Sequence, residues 1–323
     1  MFLLNKIEMV NHLMYSLLVV WKVVFLGFIS YYIKRWNSRH YNQPLRNTVI
    51  LLLIMFMASS CQEKDTKENL HFFVAGHAYG MPGITNYPFH PPFMEYLEIA
   101  KSDTTLSFGV LTGDIVQECD TTSWNTVDDY LSAFSFDFHF AAGNHDLKNR
   151  VLFEKRYGNP NYYFEKGRNL FYFVDLLESG WNFTKAQTQE IKQLTEDKMY
   201  DNVFVFTHHV CWYDMNKTPQ IKPNSSYGRD TNQTFYNQIL PKLLKIEAPI
   251  YFFAGDVGAN PIGSEITLHK CNNVHLIASG MGGGKWDNII QVFVNDGATH
   301  VEVDYLSEKV NISIDSVYND IYM

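Results

Sequence analysis

At 323 residues the chain is too long for one small domain and suits one large α/β domain with additional segments. Its net charge is −8, and no Lys/Arg cluster alternates with exposed aromatics, which argues against nucleic acid as a general partner. A phosphorylated small molecule, glycan or lipid remains compatible, because a bound metal can supply the positive charge that a basic patch otherwise gives. There is no repeat of fixed period. The four cysteines, Cys61, Cys119, Cys211 and Cys271, have neither CxxC nor zinc-finger spacing. With Cys61 set aside an odd number is left, which speaks for buried free thiols with at most one bridge.

In chain order, two apolar stretches come first. Met9–Ile33 is mostly apolar, is interrupted by His12 and Lys22, and is followed by Lys34 and Arg35. It is a candidate membrane helix with its basic flank on the cytoplasmic side, although Lys22 weighs against it. In the second stretch, Arg46 precedes an apolar run from Val49 to Met57, then Ala58-Ser59-Ser60-Cys61. A charged region, a short apolar run and small residues describe a secretory signal. Small residues directly before a cysteine resemble a bacterial lipobox, which implies cleavage before Cys61 and lipid on its thiol. Residues 1–60 are therefore expected to be a membrane or signal segment, 61–70 a linker and 71–323 the folded domain. That domain is expected outside the cytoplasm and anchored to a membrane, as a lipoprotein at Cys61 or, alternatively, by a helix over 9–33.

From His71 onward, short runs of β-formers alternate with helical patterns. Strands are predicted at His71–Ala75, Ser107–Leu111, Phe136–Ala141, Val203–Phe206 and Ile250–Phe253. Helices are predicted at Phe93–Ala100, Thr122–Phe134, Lys148–Tyr157, Thr184–Met199 and Thr231–Leu244. Thr184 with Gln187 makes a capping box. Tyr162–Phe164 and Asn169–Val174 read as a hairpin, and Ile289–Val294, Thr299–Val303 and Val310–Ile314 as a β-rich tail. The alternation predicts a layered α/β domain, with the tail completing a second sheet.

Each of the first five strands runs into a segment carrying His, Asp or Asn: Gly76-His77, Gly113-Asp114, Gly143-Asn144-His145-Asp146, His208-His209 and Gly255-Asp256-Val257-Gly258. Ligands of open α/β sheets bind beyond the carboxyl ends of strands, so the five segments are expected to converge. Glycine permits the sharp turn after a strand. Asp, His and Asn are suitable donors for divalent Zn, Mn or Fe, and two such ions can clamp a phosphate. Taken singly, His77 reads as a loop histidine, Asp114 as a helix cap, and Asn144 and Asp146 as turn residues. Their common order at strand ends favours a site.

This series resembles the calcineurin-like metallophosphoesterase superfamily, whose pattern runs D-x-H, G-D, G-N-H-D/E, H, G-H-x-H. The resemblance covers about Phe72 to Gly284. It implies an α/β/β/α sandwich of two mixed sheets with flanking helices, and hydrolysis of a phosphate mono- or diester. It further implies that His77 ligates a first metal, that Asp114 bridges both, and that Asn144 and His208, with Asp256, hold the second. His145 would protonate the leaving oxygen and Asp146 would orient His145. Two motifs depart from the pattern. Ala75 stands where the family has Asp, and the last two histidines become Asp256 and Gly258. One firm metal is therefore expected, with a second labile or absent; His209, Tyr79 or Asn260 are candidates for compensation. The segment Cys211–Arg229 is expected over the site, and Gly282–Gly284 to serve close backbone packing rather than phosphate binding. The alternatives are a binding or scaffold protein that keeps the fold without turnover, and a metal-dependent hydrolase of a non-phosphate ester.

Overall fold

The computed structural model describes residues 68–84, 88–260, 262–307, 310–314 and 319–320. The membrane, signal and lipobox expectations lie outside these residues. No helix among the described residues is long and apolar enough to cross a membrane.

Among the described residues, thirteen strands build two mixed sheets. Sheet I contains β1 (Leu70–Ala75), β2 (Phe108–Leu111), β3 (Asp137–Phe140), β10 (Asn288–Asn295), β11 (Ala298–Tyr305) and β12 (Val310–Ser313), in the order β12-β11-β10-β1-β2-β3. Sheet II contains β4 (Tyr162–Lys166), β5 (Asn169–Phe173), β6 (Asn202–Thr207), β7 (Ile250–Ala254), β8 (Ile266–Cys271), β9 (Val274–Ser279) and β13 (Asn319–Asp320), in the order β13-β8-β9-β7-β6-β5-β4. Helices α1 (Pro91–Ala100), α2 (Thr121–Leu131) and α3 (Arg150–Tyr157) accompany sheet I in the chain. Helices α4 (Lys185–Asp197) and α5 (Leu240–Leu243) accompany sheet II.

Period-two alternation explains the layering. Along β1, Phe72 and Val74 join the core between the sheets, whereas Phe73 and Ala75 join the core beneath α1 and α2. The inter-sheet core is largely aromatic. Phe173, Phe206 and Phe253 from β5, β6 and β7 stack at centroid spacings of 4.7 and 5.3 Å, and Phe72 meets Phe204 edge-on at 5.2 Å. A third cluster packs Tyr172, Val205, Phe252 and Leu276 of sheet II against Ile191 and the segment around Trp212 and Leu240. The α/β/β/α sandwich follows.

The predicted strands match within a residue or two, and the Thr184–Gln187 capping box is present, with Gln187 N donating to Thr184 Oγ1 at 3.2 Å and Thr184 N to Gln187 Oε1 at 2.8 Å. The predicted helix over Thr231–Leu244 is corrected. A five-residue π-turn, Phe235–Ile239, leads into the short α5, and Pro241 sits in the first turn of α5. Pro241 has no N–H for an α-helical bond to the preceding turn, so a continuous helix through it is disfavoured. The β-rich tail, expected to complete a second sheet, instead extends the sheet of β1, β2 and β3, because β10 pairs with β1, and the β8–β9 hairpin was not predicted. The first strand begins one residue earlier than expected, since Leu70 already pairs with Val294 of β10. Cys119 and Cys211 are buried free thiols, and Cys271 is buried as well.

Candidate active site at the carboxyl ends of the strands

In-register parallel pairing brings the functional loops level. Ala75 pairs with Leu111 and Leu111 with Phe140 in sheet I, and Thr207 pairs with Ala254 in sheet II. The chain therefore leaves β1, β2 and β3 at one height, and β6 and β7 at another. Main-chain bonds lace the loops together: His77 N donates to Gly113 O at 3.1 Å, Tyr79 N to Asp114 O at 3.1 Å, and Gly255 N to His208 O at 2.9 Å.

Glycine is required where the loops touch. A Cβ on Gly113 would lie 2.4 Å from His208 Nδ1, and one on Gly143 would lie 2.3 Å from Asp114 Oδ1. One on Gly255 would lie 1.9 Å from Thr112 O. His77 and Asp114 adopt left-handed φ values of 56° and 50°. Such strained backbone persists only where its surroundings over-determine it, and it concentrates at functional sites.

Asp114 is the hub. His77 Nε2 lies 3.4 Å from its Oδ2 and His208 Nε2 lies 3.4 Å from its Oδ1. His145 N donates to Oδ1 at 3.1 Å. Asp256 completes the cluster, its Oδ1 lying 3.9 Å from His208 Nε2. All four of His77, Asp114, His208 and Asp256 are buried. Asn144, between Gly143 and His145 on the loop that wraps Asp114, is half-buried. His145 is also half-buried, and its Nδ1 donates to Gln117 O at 2.7 Å. That bond leaves Nε2 as the reactive nitrogen, 3.5 Å from the Tyr79 hydroxyl.

The role expected of Asp146 is corrected here. Its Oδ1 accepts from Ile115 N at 2.9 Å and Val116 N at 3.1 Å, and its Oδ2 accepts from Gly143 N at 2.8 Å. The carboxylate thus ties the Asp114 loop to the Asn144 loop, and the Gln117 carbonyl orients His145. A carbonyl carries no residue-type signature, so no pattern of residue types points to it. The same holds for Thr112, whose carbonyl takes the Nδ1 hydrogen of His208 at 2.9 Å.

Charge and burial compete in the cluster. Burial pushes His77 down to about 4, with Asp114 opposing and His208 adding to the fall. Burial would lower His208 too, but Asp114 and Asp256 beside it more than offset this, and it is raised. Burial would raise Asp114, yet His208, His77 and His145 hold it below the ordinary range. Asp256 is pushed up to about 8 by burial, against the pull of His208 and with Asp114 adding to the rise. Burial and then Asp114 bring Asp146 up to about 6.

The donors suit a divalent cation. Bonded through Nδ1 to Thr112, His208 directs Nε2 into the cluster, and that buried nitrogen has no hydrogen-bond partner; neither has Asp256 Oδ2. A backbone bond to the far imidazole nitrogen is the usual way of presenting a metal-binding one. On the other side, Ala75 contributes only a methyl to the core. At Gly258 (φ 89°) a Cβ would lie 2.5 Å from Gly280 C, so no side chain fits. Among the described residues no group of three His, Cys, Asp or Glu side chains stands ready-spaced around an ion.

The other candidates have structural partners. Asn260 Oδ1 caps its own turn through Ile262 N at 3.1 Å, and His209 lies against Trp181 with ring centroids 4.8 Å apart. Within Cys211–Arg229, Asn224 staples the Asp256 turn. Its N donates to Asp256 O at 2.9 Å, its side-chain amide to Val257 O at 3.0 Å, and its Oδ1 accepts from Ala259 N and Asn260 N.

Several solved structures are similar to the chain at low sequence identity. A conserved uncharacterised protein from Streptococcus pneumoniae, described as a predicted phosphoesterase, is 9% identical over 76% of this chain and 98% of its own, with a TM-score of 0.35. Wild-type Vps29 from Entamoeba histolytica, solved with zinc, is 9% identical over 76% and 97%, with a TM-score of 0.37. Vps29 from Chaetomium thermophilum is 11% identical over 72% and 84%, with a TM-score of 0.34. No curated protein matches the chain. The family profile of the calcineurin-like phosphoesterases matches residues 77–267, more than half of the chain, and the chain belongs to that family.

Proposed function

We propose that the protein is a metal-dependent hydrolase of a phosphate mono- or diester. The observation that carries this reading is the buried cluster of Asp114 with His208 and Asp256, in which Nε2 of His208 and Oδ2 of Asp256 have carboxylate or imidazole neighbours but no hydrogen-bond partner. Asp114, Asn144, His208 and Asp256 would hold a divalent ion (Mn, Fe or Zn), and His77 with Asp114 a second, weaker one. When bound, such an ion supplies Lewis-acid polarisation of the ester and lowers the pKa of water. The chain's own groups do the rest. His145 meets the leaving oxygen through Nε2 and delivers a proton there. The Gln117 carbonyl keeps the proton on Nδ1 and the ring in place. Asp146 fixes the two loops on which Asp114 and His145 ride.

A second reading has its own support: a binding protein that keeps the fold without turnover. Ala75, the filled space at Gly258 and the lack of a ready-spaced three-donor group among the described residues favour it. Metal content of the purified protein, measured together with hydrolysis of aryl phosphate mono- and diesters, decides between the two. Turnover that a chelator abolishes and that Asp114→Ala or His145→Ala removes supports the hydrolase. No metal and no turnover with several added divalent ions overturns it.

The proposed address is extracytoplasmic, with Cys61 lipidated, and the proposed substrates are phosphorylated small molecules, glycans or lipids met there. Both rest on the sequence around Ala58–Cys61. Labelling with a fatty-acid probe tests the anchor, and an unlabelled mature protein sinks it.

A further inference from the structure

Beside the donor cluster lies a buried pair that the reading above does not use. His90 immediately precedes α1, and Asp287 immediately precedes β10. Nε2 of His90 donates to Oδ2 of Asp287 at 2.8 Å, and the two residues are 7% and 2% exposed. The same carboxylate accepts from three successive glycines: Gly282 N and Gly284 N on Oδ1, each at 3.0 Å, and Gly283 N on Oδ2 at 2.9 Å. Successive main-chain N–H groups of this kind form an anion-binding hollow. Here the protein's own Asp287 fills it.

Each side of the pair grips a different loop of the site. His90 N donates to Ala78 O at 2.8 Å, and its ring lies so close to Gly80 that a Cβ there would be 2.6 Å from Nδ1. Ala78 and Gly80 flank Tyr79 and follow His77. The glycine loop backs the Asp256 turn: a Cβ on Gly280 would lie 2.2 Å from Val257 O, and one on Gly282 would lie 2.2 Å from Ala259 Cα. Removing two polar groups from water is costly, and an apolar pair of similar volume often serves stability as well. A buried pair that also closes a glycine loop sets geometry.

We infer that His90 and Asp287 are positioning residues, a clasp that holds the His77–Tyr79 loop against the loop behind Asp256 and so fixes the spacing of donors that come from different sheets. Its effect on turnover rests on the hydrolase reading; its effect on the loops does not. His77 is the residue with most to lose, because its left-handed backbone needs external restraint.

The test uses the full chain and the variants His90→Leu, which removes the donor, His90→Gln, which retains one, and Asp287→Asn. Amide hydrogen exchange of the metal-free protein is read at His77 and Tyr79, whose N–H groups bond Gly113 and Asp114, and at β6 as a control. Aryl phosphate kinetics are then measured with added divalent ion. With His90→Leu and Asp287→Asn, exchange at His77 and Tyr79 rises at least about tenfold while β6 is unchanged, and kcat falls roughly 10–100-fold with little change in KM. His90→Gln recovers most of both. Unchanged exchange at His77 and Tyr79, an equal rise in β6, or no recovery with Gln overturns the clasp. Wild-type protein without turnover overturns the hydrolase reading, while the exchange data still decide the clasp.

Discussion

His77 and His208 are the same side chain in nearly the same degree of burial. Each lies 3.4 Å from Asp114, and their ring centroids are 6.5 Å apart. They nevertheless have opposite character. His77, on the sheet I side, has one carboxylate beside it and is driven down to about 4 by burial. His208, on the sheet II side, has Asp114 and Asp256 beside it and a carbonyl on its far nitrogen, and it is raised. Burial alone therefore does not set the chemistry of a buried histidine; the balance of burial against the charges and hydrogen bonds beside it decides the sign. The asymmetry traces to two positions at which the chain departs from the family pattern. Where the family pattern supplies a carboxylate next to His77, this chain has Ala75, whereas Asp256 supplies one next to His208.

The hardest blow to this comparison is Asp114→Ala, which removes the partner common to both histidines. Hydrolysis of an aryl phosphate should fall at least about 100-fold, in line with the loss of a group on which others depend, and metal content should fall with it; retention of either on assay breaks the shared-hub account. His145→Ala should cost about 100-fold in kcat, most of all for esters with poor leaving groups, while metal content stays at the wild-type level. Gly113→Ala probes the His208 side sterically. Its φ of 82° and the 2.4 Å approach to the ring predict a loss of about 3 kcal/mol in denaturant unfolding.

Ala75→Asp sharpens the comparison by repairing the poorer side. In chelator the new carboxylate is buried without a partner, and the melting temperature should drop. Added divalent ion should restore it, and bound metal should rise by about one ion per chain by elemental analysis. The gentlest test is pH. In metal-free protein followed by NMR, His208 should titrate above the ordinary histidine range and His77 near 4. Their stability contributions have opposite signs. The folded pKa of His77 is depressed, so its contribution is complete above about 6.5 and is lost as pH falls towards 4. That of His208 is raised, so its contribution is complete below about 6.5 and is lost as pH rises through the folded value. Coincident titrations of the two rings would erase the distinction.

The layered fold and most of the site were legible in the sequence because both rest on local signals. The two-residue period marks β1, β6 and β7, and the glycines mark where their loops must touch. The five segments are brought to one end, and Asp114, His208 and Asp256 meet there as anticipated. What stayed hidden was carried by main chain or by distant pairing. The carbonyls of Gln117 and Thr112 orient the two key imidazoles, and any residue could provide a carbonyl. Asp146 follows His145 directly, which invites the idea that it orients that ring, but its carboxylate turns to three backbone N–H groups instead. His90 and Asp287 are separated by almost the whole domain, and nothing local links them. The π-turn at Phe235–Ile239 escaped because apolar periodicity fits an α-helix there and only Pro241 speaks against it.

The approach of Gly255 to the Thr112 carbonyl, too close for even a methyl group, joins a loop of sheet II to a loop of sheet I. Any swelling of the sandwich, by heat, mild denaturant or a wedge in its aromatic middle, must part that seam early. Turnover would then vanish at conditions where most strands still hold their ladders, making it a more sensitive gauge of sheet docking than any spectrum of the backbone.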